Sequence, residues 1–121
     1  MENDSLTETI IKACYEVHNE LGTGYNEKVY ENALLIALDE LGLKAAAQVP
    51  LAVHFRERVV GEYFADLVVE NSVIIELKTV RTLAREHRAQ LINYLKATGY
   101  HTGLLVNFAV KGLQLKRMTH Y

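Results

Sequence analysis

The sequence predicts an α/β domain, a mixed central β-sheet flanked by helices, on three observations. The N-terminal third carries two apolar stripes at helical spacing. Two short runs, Leu67-Val68-Val69 and Val73-Ile74-Ile75, are apolar at successive positions, as in strands covered on both faces. A strand–helix–strand step over 73–106 implies a parallel pair joined by a crossover. The chain has 121 residues, half of them hydrophobic, which fits one domain spanning 1–121 with a core of its own.

The first helix is expected over 5–21. Ser5 and Glu8 have capping-box spacing. Leu6, Ile10, Cys14, Val17 and Leu21 form its stripe, and Gly22 is a plausible stop. After a turn at 22–24, a second helix runs over 26–41 with Asn26 as N-cap. Its apolar face is Val29, Tyr30, Ala33, Leu34, Ala37, Leu38 and Leu41, and Gly42 ends it. Strands follow over 49–55, 59–69 and 73–80, with a turn at 70–72. The third helix, over 84–98, turns Leu91, Ile92 and Leu95 to the sheet and stops at Gly99. Leu104-Leu105-Val106 reads as a buried strand, and 113–118 alternates as an edge strand does.

Composition excludes several classes. One cysteine, Cys14, rules out an internal disulfide and a cysteine-based zinc site, and its place on the apolar stripe makes it a core residue. No apolar run has the length of a membrane span. The acidic start, Met1-Glu2-Asn3-Asp4-Ser5, is unlike a secretory leader, so a cytoplasmic protein without membrane attachment is the expectation. Residues 1–40 hold nine acids and two bases, and residues 41–121 hold six acids and eleven bases. An acidic face and a basic face are expected. With a formal net charge of −2, any contact with nucleic acid is expected at a local site.

Three ionisable residues interrupt the most apolar strands: Asp66 in the second, Glu76 and Lys78 in the third. Unpartnered buried charge is costly, so each needs a reason. Glu76 and Lys78 are two apart and share a face. Asp66 lies opposite Glu76 if the loop between the strands has three residues, 70–72; a two-residue loop would set it against Leu77, so a shared site requires an odd-length loop or a bulge. Two carboxylates beside an ammonium suit a hard divalent cation, and equally a buried ion pair holding the hairpin. On the third helix Gln90 and Tyr94 are four apart on one face, with His87 a turn earlier. They can hydrogen-bond a phosphate, or form a boundary between core and solvent. Glu27, in a first helical turn, is placed where the helix dipole favours an acid. Arg81, Arg85 and Arg88 lead into the third helix and suit a phosphate backbone, or a solvated helix face.

Asp66, nine residues, then Glu76-Leu77-Lys78 resembles the PD-(D/E)XK nuclease motif. Gln90-x-x-x-Tyr94 is similar to the Q-x-x-x-Y motif of the helicase-linked exonuclease branch. Gly24-Tyr25-Asn26-Glu27-Lys28-Val29-Tyr30 matches a G-x-x-E-x-x-Y signature. Val17-His18, Leu21-Gly22, Tyr94-Leu95 and Asn107-Phe108 extend the likeness over about 5–118, so the chain resembles the GxxExxY proteins of the PD-(D/E)XK superfamily. Ala65 stands where the motif has proline, a position that supplies no ligand.

The resemblance implies a restriction-endonuclease-like core and Mg²⁺ or Mn²⁺ as cofactor. It implies Asp66, Glu76 and the Leu77 carbonyl as metal ligands, with Glu27 as a further ligand or water-orienting group. It implies Lys78 as the residue that positions or deprotonates the attacking water, with Gln90 and Tyr94 buttressing Lys78 and the scissile phosphate. It allows His18 a minor part nearby. The expected function is metal-dependent hydrolysis of phosphodiester bonds in DNA, with RNA also possible. The alternative is a catalytically inactive nucleic-acid-binding or protein-interaction module on the same fold. A homodimer is expected only because two-fold pairs are the commonest oligomers.

Overall fold

The computed structural model describes residues 4–121. The acidic start at Met1, Glu2 and Asn3 lies outside them. Helices α1 (Asp4–Leu21) and α2 (Glu27–Glu40) precede strands β1 (Ala45–Phe55), β2 (Arg58–Val69) and β3 (Val73–Lys78). Helix α3 (Arg85–Thr98) and strands β4 (Thr102–Ala109) and β5 (Gly112–Thr119) complete the chain. The five strands form one sheet in the order β1-β2-β3-β4-β5. Strands β3 and β4 are parallel, as the crossover step predicts, and the other neighbours are antiparallel. This is the mixed α/β sheet expected from the sequence.

Helices α1 and α2 cover one face. Ile10, Cys14, Tyr30 and Leu34 pack there on Leu67, Val69, Val73 and Ile75. Helix α3 covers the other face, with Leu91 and Leu95 on Val68, Ile74 and Leu105. The alternation of Val73, Ile75 and Leu77 against Ile74 is the two-residue period of a strand buried on both sides. Gly103 in β4 lets α3 come close: a Cβ there would lie 2.9 Å from Leu91 Cδ1 and 3.0 Å from its Cγ. Burial pushes the Cys14 thiol up to about 12, so it is an inert core residue. Among the described residues no helix is long and apolar enough to cross a membrane.

Three departures from the expected boundaries have an identifiable physical cause. Ser5 lies inside α1 rather than capping it, and its carbonyl accepts from the Thr9 hydroxyl at 3.0 Å. Strand β1 begins at Ala45 and not at residue 49, because Ala45, Ala46 and Ala47 pair with Val69, Val68 and Leu67. Tertiary pairing overrides the weak strand preference of alanine. Strand β3 ends at Lys78 rather than Val80, for a reason that lies in the candidate site.

Candidate functional site

The loop at 70–72 has the three residues the register required, with Glu70 and Asn71 in left-handed conformations at φ 53° and 51°. Val69, Val68 and Leu67 pair with Val73, Ile74 and Ile75. One step further Asp66 would face Glu76, and there the ladder opens. Strand β2 continues alongside β1 only, and β3 alongside β4 only. The two carboxylates take over the backbone donors left at the split. Glu76 Oε2 accepts from the Asp66 N–H at 2.7 Å, and Asp66 Oδ2 accepts from the Leu77 N–H at 2.8 Å. In extended chain the N–H and C=O of one residue leave on the same edge, so the Leu77 carbonyl also points toward the split.

Each carboxylate thus has one oxygen tied to backbone. Asp66 Oδ1 receives only a long contact of 3.4 Å from the Gln48 amide. Glu76 is buried, at 5% exposure, and its carboxyl is pushed up to about 8, first by burial and then by the charge of Asp66. Asp66 is also raised, mainly by burial, against the lowering effect of its Leu77 and Gln48 donors. Lys78 acts on both in the opposite sense through its charge. Among the described residues Lys78 forms no direct ion pair, so the closed pair of the alternative sequence reading is not what the strands build.

The segment after Lys78 is fastened from two sides. Asn107 is fully buried in β4; its Oδ1 accepts from the Val80 N–H at 2.9 Å, and its Nδ2 donates to the Val80 carbonyl at 2.8 Å. A side-chain amide here replaces the strand partner, which is why the ladder ends at Lys78. Glu27 Oε2 accepts from the Thr79 hydroxyl at 2.9 Å and from the Thr79 N–H at 3.2 Å. Slight burial would raise its carboxyl, but its own backbone, Thr79 and the charge of Lys78 together hold it below the ordinary value. Glu27 therefore meets the Lys78–Thr79 corner and not the Asp66–Glu76 pair.

The helix acid that couples to both carboxylates is Glu31, one turn later and 3% exposed. Its Oε1 accepts from Gln48 Nε2 at 2.6 Å, and its Oε2 from Lys28 Nζ at 2.6 Å. The sequence reading missed Glu31 and Gln48. An acid four residues after Glu27, beside buried Tyr30 and before Leu34, was the available signal for Glu31. Gln48 carried none, since its left-handed φ of 52° within β1 is a tertiary outcome.

From the opposite face α3 brings Tyr94, 7% exposed, its hydroxyl pushed up to about 12 by burial and then by the charges of Glu76 and Asp66. Gln90 is exposed and shares with Tyr94 a groove against Tyr63 of β2. His87 caps α3: its Nδ1 accepts from the Ala84 N–H at 2.9 Å. The three arginines do not converge. Arg81 borders a cleft with Thr79 and Lys111, Arg88 lies in another with Lys116, and exposed Arg85 borders neither. His18 lies against the ring of Phe108, with the centroids 6.4 Å apart.

Among the described residues no three acidic, histidine or cysteine side chains form a ready-made metal cage. Two carboxylates with free oxygens and a backbone carbonyl make the open, water-completed arrangement that Mg²⁺ accepts. Their raised proton affinity comes first from burial and, for Glu76, then from the charge of Asp66, and a cation held between them would oppose both effects.

A family model described as the PD-(D/E)XK nuclease superfamily matches residues 4–118. A solved structure named SSO0001 is similar in fold, with a TM-score of 0.63 and 21% identity. The likeness covers 98% of this chain and 59% of that one, so the chain spans about three fifths of that protein's length. No curated protein matches the chain.

Proposed function

We propose that the chain, which belongs to the PD-(D/E)XK nuclease superfamily, hydrolyses phosphodiester bonds of DNA with a divalent cation, Mg²⁺ or Mn²⁺, held by Asp66 and Glu76. Members of the superfamily are usually nucleases and generally use divalent metals. The observation that carries the reading is the exchange at the split strands: each carboxylate takes the other strand's N–H and keeps an oxygen in hand. The Leu77 carbonyl is the third protein ligand in this proposal. A bound cation acidifies water and polarises a phosphoryl oxygen. The Lys78 ammonium, which forms no ion pair among the described residues, holds the attacking water and offsets charge as it develops on the phosphate. Glu27 fixes the Thr79 corner and so aims Lys78. Tyr94 and Gln90 hydrogen-bond the phosphate from α3, and Arg81, Arg85 and Arg88 contact flanking backbone. The run from Gly24 to Tyr30 supports membership of the GxxExxY group. A cytoplasmic homodimer, acting also on RNA, is compatible with this reading.

Cleavage of labelled single-stranded, duplex, flapped and four-way DNA, and of RNA, tests it in Mg²⁺, Mn²⁺ or chelator. Cutting that needs the cation and disappears in both Lys78→Ala and Asp66→Ala is the expected result. Tight binding without cutting on every substrate would instead select the inactive binding module.

A further inference from the structure

Beyond Lys78 the chain borders a cleft of about 580 Å³. That is within the roughly 300–1,000 Å³ of sites that enclose a small organic ligand. Gly24 and Tyr25 line it from the turn before α2, Thr79 and Arg81 from the segment after β3, Phe108 from β4 and Lys111 from the β4–β5 turn. Tyr25 is half exposed, and its ring meets the ring of Tyr30 edge-on at 6.1 Å. The Tyr30 ring in turn stacks on Phe108 at 4.1 Å, and its hydroxyl donates to the Gly22 carbonyl at 2.8 Å. Gly24, at φ 107°, supplies a backbone conformation that residues with a side chain rarely adopt. A turn of this kind, stapled by Tyr30, holds an aromatic ring in place beside open space. Among the described residues neither Arg81 nor Lys111 forms an ion pair, and no acid lines the cleft. In a protein of net charge −2, these two cations and a braced ring beside the Lys78 corner form a local basic, aromatic site.

We propose that this cleft takes one nucleotide of an unpaired strand, its base against the Tyr25 ring and its phosphate on Arg81 and Lys111. The inference rests on the nuclease reading and extends it to the substrate class: single strands, overhangs or frayed ends. Single-strand binding sites combine cations along the backbone with aromatic rings under the bases. A duplex offers the cations its phosphates but keeps its base faces stacked, so Tyr25 would have nothing to stack on.

The chain has no tryptophan, so Tyr25→Trp installs a single fluorescent reporter. The full chain in chelator is titrated with an oligothymidylate and with a duplex of equal length. The expected result is quenching by the single strand and not by the duplex. Anisotropy should show Tyr25→Ala binding the single strand roughly tenfold more weakly. Tyr25→Phe should restore binding, since the ring and not the hydroxyl stacks. Arg81→Ala should lower the log–log salt slope by roughly 0.7 for the one phosphate lost. Equal affinity in Tyr25→Ala, or equal quenching by the duplex, overturns the inference while leaving a cleaving wild-type enzyme intact. Absence of any single-strand binding by the wild type also overturns the inference, and the cleavage test in Mg²⁺ or Mn²⁺ decides the nuclease reading separately.

Discussion

Replacing Glu76 by glutamine should make the metal-free protein more stable above neutral pH and remove most of its pH dependence. Glu76 is 5% exposed and its carboxyl is raised from 4.5 to about 8. Below pH 4.5 both folded and unfolded chains carry the proton. Between 4.5 and 8 the unfolded chain ionises while the folded chain holds its proton. The folded state then binds more protons, so stability falls as pH rises through this window. The shift corresponds to a ceiling of about 5 kcal/mol, reduced by whatever relaxation admits water to the split. Asp66 is raised as well and adds in the same direction. Glu27 is lowered, so its contribution is present above its unfolded value and is lost as pH falls below it, outside the window. Glutamine keeps an oxygen to accept the Asp66 N–H. Urea unfolding in chelator at pH 5 to 9 is the assay. The wild-type midpoint should fall from pH 5 to about 8 and level off above it. In unfolding free energy Glu76→Gln should match the wild type near pH 5 and exceed it by several kcal/mol at pH 9. A wild-type midpoint that is flat or rising from pH 5 to 8, with the variant running parallel, would refute the reasoning about the buried pair.

The same proton predicts that Mg²⁺ or Mn²⁺ binding at pH 7 releases close to one proton, because Glu76 must ionise to accept a cation; calorimetry in buffers of different ionisation enthalpy measures it. Asn107→Ala strips Val80 of both its partners and should cost about 2–3 kcal/mol in urea unfolding. The loosened Lys78–Thr79 corner should reduce cleavage more than the remaining folded fraction explains. Gly103→Ala drives a Cβ to within 2.9 Å of Leu91 and should cost about 1–3 kcal/mol. Combining it with Leu91→Ala should cost less than the two separate losses, which thermal melts of all four forms would show.

The strand register was legible because it depended on local chemistry. A three-residue loop fixes the parity of the hairpin, and parity alone puts Asp66 and Glu76 on one face. The caps were legible for the same reason: Asn26 accepts from the Val29 N–H at 3.3 Å, and Gly99 closes α3 at φ 79°. What stayed hidden depends on partners distant in sequence. Ala45, Ala46 and Ala47 become strand only against Val69, Val68 and Leu67. Val80 loses its place in β3 to a side chain 27 residues away. The directions of Arg81 and Arg88 depend on how the segment after β3 passes the β4–β5 end of the sheet, which spacing within one helix does not encode.

Glu27 and Glu31 show how the site divides its electrostatic work. They are four residues apart on α2, yet their surroundings differ. Glu27 is exposed and gathers donors from Thr79, so it is readily ionised and serves as an anchor. Glu31 is buried, spends both oxygens on Lys28 and Gln48, and adds its charge to the Asp66–Glu76 pair. An acid fully committed to other donors is poorly free to ligate a cation, but its field still favours one. The helix therefore supplies both levers: Glu27 fixes the corner that carries Lys78, and Glu31 deepens the negative potential at the split. Removing the first should disorder the lysine, and removing the second should relax the carboxylate pair. Each change acts on the proposed reaction from a residue that need not touch the phosphate.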